Sequence, residues 1–215
     1  MSKYVRAANK RIVVTAGSIV CALAVIAYGT AAASPSPQVA SVAADWTAVS
    51  SNTASGTLLG ARVSLSGTHV WGPPQSTLDG SWPYFASSVF SPSLPSSDAL
   101  QISGGPDRPF VYDLDFGGPL TDPIIEVGSL ASRIEFPTGT KVTRLSGDDD
   151  FMVSGATVSG QLSSVRPSGL SDSSGTIKLT GTFTKIGFTA KTTYAGSAED
   201  GILVQLGAAA RRGQP

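Results

Sequence analysis

Cysteine and histidine are almost missing from this chain: Cys21 and His69 are the only ones in 215 residues. A disulfide framework, a CxxC redox pair and a Cys-ligated zinc are thereby excluded, as is any site needing two or three imidazoles. Charged residues make up 14% and aromatic residues 7% of the chain, so surface and core must be built largely from small, hydroxyl and aliphatic side chains. Beyond residue 45 no segment keeps a helical period. The helix that would follow a G-x-S-x-G elbow is therefore lacking, and no glycine-rich phosphate loop occurs. A Ser-His-Asp triad would have only His69 to draw on, and nothing in the sequence selects its partners. No catalytic residue is expected.

What is present first is an uneven start. Lys3, Arg6, Lys10 and Arg11 precede an uncharged run over residues 12–33, which closes on Ala31-Ala32-Ala33. Basic, apolar and small-residue regions in that order are the pattern of an export signal, cleaved after Ala33 to leave Ser34 at the new N-terminus. The apolar run exceeds a usual signal core and approaches the roughly 20 residues that span a bilayer, so retention as an N-terminal anchor is the competing fate. Lipidation at Cys21 is not expected, because the bulky Val20 precedes it. With the signal removed, eleven basic residues face fifteen acidic ones, a net charge of −4. Nucleic acid is not an expected partner for such a chain, since its binding rests on neutralising phosphates.

Residues 34–44 are uncharged and rich in Ser, Pro and Ala, and read as a flexible linker; 45–207 read as one domain and 208–215 as a tail. Within the domain, Phe110, Tyr112, Leu114 and Phe116 alternate with Val111, Asp113 and Asp115, the period of a half-buried strand. Further strands are expected at 61–65, 99–102, 124–127, 133–136, 141–145, 151–154, 176–180, 185–190 and 202–206. Short strands split by Gly, Pro, Asp and Ser predict an all-β fold, an antiparallel β-sandwich of jelly-roll type.

Three groups of side chains could carry a function. Asp113 and Asp115 share one strand face at roughly the separation of a glycosidase carboxylate pair, but a solvated charged face, which alternating strands normally have, is the better explanation. Asp148, Asp149 and Asp150 sit in a turn and could hold calcium; they lack the alternating ligand order of a known calcium loop, and otherwise no cofactor is expected. Trp71, Trp82 and Tyr84 lie in a Pro/Gly-broken stretch with His69, Phe85 and Phe90; exposed rings there could stack on sugars, while core packing is the expected fate of most of them. The expected role is binding, or a structural part of the envelope, with a glycan or another envelope protein as partner. The alternative is a carbohydrate-active enzyme or lectin-like module. Contact with a membrane is expected only through an uncleaved N-terminal segment.

Several phrases of turn and strand residues recur together: FSPSLPSSDAL at 90–100, PLTDPI at 119–124, GSLAS at 128–132, TRLSG at 143–147 and DGILVQLG at 200–207. Jointly they resemble a group of secreted bacterial β-sandwich domains in surface proteins that carry one of several C-terminal anchors. The resemblance implies sandwich architecture and export, and no particular reaction. The chain departs from the pattern after Gly207, where AAARRGQP offers neither an apolar span nor a sorting motif. Release, or retention by the N-terminal segment, is therefore the expected fate.

Overall fold

The computed structural model describes residues 41–50, 52–71, 84–94, 98–162, 172–193 and 199–210, with Trp71 placed by its backbone. The expected signal helix and Trp82 lie outside the described residues. In the first half of the chain the strands are β1 (Ser41–Ala43), β2 (Asp45–Ser50), β3 (Thr53–Leu58), β4 (Ala61–Gly67), β5 (Val70–Trp71), β6 (Leu100–Gly104) and β7 (Phe110–Thr121). The second half adds β8 (Ile124–Leu130), β9 (Ser132–Glu135), β10 (Lys141–Gly147), β11 (Met152–Ser154), β12 (Thr157–Ser159), β13 (Ser173–Thr180), β14 (Thr182–Thr192) and β15 (Asp200–Ala209).

Two antiparallel sheets pack against each other. The smaller runs β10-β13-β8-β15-β6-β5, with β1 beside β15; the larger runs β11-β12-β9-β14-β7-β4-β3-β2. The four strands β6-β15-β8-β13 lie over β7-β14-β9-β12, and the chain changes sheet at each step from β6 to β9 and again from β12 to β15. That connectivity is a jelly roll. Strand β10 is an addition at one edge, and β2, β3 and β4 widen the larger sheet beyond β7.

Alternation decides which faces meet. Phe110, Tyr112, Leu114 and Phe116 are all buried in the core shared by the two sheets. Tyr112 stacks on Phe188 with ring centroids 5.3 Å apart, and Phe188 meets Phe136 at 5.6 Å. The Tyr112 hydroxyl donates to the Ser103 carbonyl at 2.7 Å, lies 3.2 Å from the His69 carbonyl, and accepts the Ser103 amide at 3.1 Å. Burial pushes its pKa up to about 12, so the ring acts as a neutral strut tying β7 to β6. Gly67 makes room for it, since a Cβ there would stand 2.2 Å from the Tyr112 ring.

Strand pairing starts at Ser41, within the stretch expected to be linker, and continues to Ala209, beyond the expected end of the domain. The correction has a physical basis. β15 carries β8 on one edge, while β1 and β6 follow one another along its other edge. Between them Gln205 supplies the missing contacts: its Oε1 accepts from Trp46 Nε1 at 3.0 Å and its Nε2 donates to the carbonyls of Ala44 and Asp98. Trp46 is buried beside it, and the Trp46 amide donates to the Asp98 carboxylate at 3.0 Å. The N-terminal residues of the domain are thus part of the sheet.

The smaller sheet is covered on its outer side. A 3-10 turn at Tyr84–Ala86 leads a segment whose Tyr84, Phe85 and Phe90 pack on Ala99 and on the outward Leu203 of β15. Ser91 ties the segment down by donating its amide to Thr176 Oγ1 on β13 at 3.2 Å.

Candidate functional site

Of the expected aromatic group, Tyr84 is buried, at 7% exposure. Its ring meets Phe85 and Phe90 at 5.2 and 6.0 Å, and its hydroxyl lies 3.4 Å from Ser174 Oγ. The Tyr84 phenol is pushed up by that burial. As an exposed stacking platform Tyr84 is therefore corrected: the ring packs because covering the smaller sheet removes more apolar area from water. Trp71 pairs with Gln101 through its backbone, and Trp82 lies outside the described residues. Every described aromatic side chain is buried except Phe183, which is half-buried.

The acidic turn follows β10. The Asp148 carboxylate accepts the Ser174 amide at 2.9 Å, and the Asp148 amide donates back to the Ser174 carbonyl at 2.8 Å. Arg144 Nη2 donates to the carbonyls of Gly147 and Asp148 at 2.7 and 2.8 Å. One of the three carboxylates is thus already engaged in fastening the turn to β13. Among the described residues no three His, Cys, Asp or Glu side chains are grouped as a metal site would require.

Asp113 and Asp115 do share the outer face of β7, and each has a partner. Asp113 lies 3.4 Å from Lys185 Nζ on β14, and Asp115 accepts the Gly117 amide at 2.8 Å. The lone histidine has a partner that sequence alone did not select: His69 Nδ1 stands 2.7 Å from Glu199 Oε2, with the imidazole ring 4.7 Å from that of Phe110. Besides Asp98, two more carboxyls are buried. Glu126 on β8 is wholly buried, and Asp200 at the start of β15 nearly so. Burial pushes Glu126 up to about 9 and Asp200 to about 6. The Ser132 hydroxyl and the Ala131 amide, 2.9 Å from Asp200, draw Asp200 back in part. Glu126 left one trace in the sequence, as a lone carboxyl inside Ile124-Ile125-Glu126-Val127.

One arrangement with room for a ligand is the outer face of the larger sheet. Register brings Asp113 beside Gly187, Val111 and Glu135 on either side of Thr189, and Arg133 opposite Lys191. A shallow depression of about 360 Å³ lies over β14, lined by Val111, Asp113, Glu135, Thr138, Gly187 and Thr189. Its floor is open because Gly187 has no side chain. A second depression of about 230 Å³ lies further along the same strand, lined by Arg133, Lys191, Thr192 and Thr193. Arg133 donates to Glu135 at 2.8 Å.

No family model, curated protein or solved structure matches this chain. Assignment rests on the face itself. Carboxylates, hydroxyls and two cations around a shallow floor can hydrogen-bond a polar ligand along its length. Around that floor Asp113 lies beside Lys185 and Glu135 beside Arg133.

Proposed function

We propose that this chain is an exported β-sandwich that acts by binding outside the cytoplasmic membrane, with the outer face of its larger sheet as the binding surface. One observation carries the reading. Among the described residues the smaller sheet is covered by the segment around Tyr84, Phe85 and Phe90, whereas β14 of the larger sheet carries two depressions along its outer face. A glycan or another envelope component is the partner class, reached without catalysis. Export is supported by the order of basic, apolar and small residues over 1–33.

Gly187→Trp tests the surface. A Cβ at Gly187 meets only the end of the Asp113 side chain at 3.3 Å and the Tyr112 carbonyl at 3.6 Å, so a side chain can be accommodated while the floor is filled. On a glycan array and against isolated cell envelope, the exported protein should bind and Gly187→Trp should lose that binding with little change in melting temperature. Retention by Gly187→Trp at unchanged affinity would remove this face from consideration. Mass spectrometry of the culture supernatant should give Ser34 as the N-terminus, while recovery only in membranes with 12–33 intact would establish the anchored form.

A further inference from the structure

Two cations face each other on the larger sheet. Arg133 on β9 and Lys191 on β14 are direct cross-strand partners on the same face, an arrangement that weakens a sheet by repulsion. Glu135 answers only part of this charge, through a single contact with Arg133 Nη2 at 2.8 Å. A guanidinium carries five N–H donors, more than that contact uses. Among the described residues no carboxylate lies within 4.0 Å of the Lys191 ammonium. The second depression opens at this pair. An anion seated there would turn the repulsion into two attractions.

The net positive charge is confined to one end of the strand: Glu135 offsets Arg133 and Lys185 offsets Asp113, which leaves Lys191. From Lys191 to Gly187 the track runs roughly 13 Å at the usual strand rise, and it passes Thr189 and Glu135 before reaching Asp113. Thr189 and the carboxylates accept hydrogen bonds from hydroxyl groups, and Asp113 and Glu135, each beside one cation, leave no excess positive charge there for a second anion. A uniformly charged polymer such as a polyphosphate or nucleic acid would find no net positive charge beyond that end of the strand. A polyol with an acid group at one position matches both ends. We infer that the β14 track binds an acidic saccharide, with its carboxylate or sulfate between Arg133 and Lys191 and its ring hydroxyls along Thr189, Glu135 and Asp113. This rests on the larger sheet being the binding face.

The test titrates the full exported chain with polygalacturonate, dextran sulfate, neutral dextran and polyphosphate, at low and at physiological salt. At least one of the two acidic polysaccharides should bind about tenfold or more tightly than dextran, and which one identifies the acid group. The double variant Arg133→Gln/Lys191→Gln should lose that advantage, and Lys191→Arg should keep it. A ligand-free signature accompanies this: Lys191→Gln alone should raise the melting temperature by about 1–3 °C through relief of repulsion. Equal binding of dextran, stronger binding of polyphosphate, or an unaffected double variant would overturn the inference. If a neutral glycan binds and only Gly187→Trp abolishes it, the binding face stands and the acidic ligand falls. If none of the polymers binds, the acidic ligand is again refuted, and if the array and the envelope give nothing either, the face falls with it.

Discussion

Replacing Glu126 by glutamine should make the protein more stable at neutral pH and nearly insensitive to pH above about 7. The side chain stands on the outward side of β8 between Gln205 and Thr176, beneath the segment that covers the smaller sheet, with no exposed surface. Neither carboxyl oxygen makes a hydrogen bond of good geometry, and the Leu94 backbone offsets little of the cost of burial. Burial raises the folded value from 4.5 to about 9. The folded state therefore holds the proton more tightly than the unfolded chain does. The resulting stability is complete below pH 4.5, falls as pH rises, and is gone once the pH has passed about 9. From about pH 6 to about pH 8.5 the loss is roughly 3 kcal/mol at 1.36 kcal/mol per pH unit, or about 6–12 °C in melting temperature for a domain of this size. Asp200 acts with the same sign, but its titration is nearly complete a unit above its folded value of about 6, so the interval from about pH 7 to 8.5 isolates Glu126. Thermal melts from about pH 7 to 8.5 should show a steep decline for the native chain and a flat line for Glu126→Gln. Parallel declines in the two proteins would refute the reasoning, because the titration would then belong to another group.

Three further outcomes follow from particular positions. Leu58 and Ala61 pair across a two-residue turn in which Leu59 has φ 51° and Gly60 φ 78°, so Leu59→Asn, which suits such a turn better, should raise the melting temperature by about 2–4 °C. Leu114 is 4% exposed between the sheets, and Leu114→Ala should cost about 2–5 kcal/mol in a denaturant titration. Because the Asp148 carboxylate is already committed to the Ser174 amide, chelators should leave the melting temperature unchanged; a fall with EDTA that calcium restores would make Asp148, Asp149 and Asp150 a metal site.

Strands that obey a simple period were legible, and those that take their shape from neighbours were not. Phe110, Tyr112, Leu114 and Phe116 announce β7 because only one of its faces enters the core. β2 and β3 have no such stripe: β3 is Thr-Ala-Ser-Gly-Thr-Leu, whose inward Gly56 lets β2 and the Trp46 backbone close in. β1 is three residues long, too short for any period to show, and exists because Gly207, Ala208 and Ala209 of β15 offer it an edge. The stacking role considered for Tyr84 fails for a related reason. Composition placed Tyr84 in an open, Pro/Gly-broken loop, yet the outward row of Leu203 and Gly128 left an apolar surface that such a loop had to cover. The charged face shows the same dependence on register. Asp113 reads as half of a carboxylate pair until β14 is laid beside β7 and brings Lys185 to it; Lys191 reads as an ordinary surface lysine until β9 brings Arg133 opposite. Residue types along one strand limit the chemistry available, whereas cross-strand pairing decides which charges are neutralised and which remain for a partner. Here that division falls along β14, with the acidic residues held by cations and the Lys191 ammonium left for an anion.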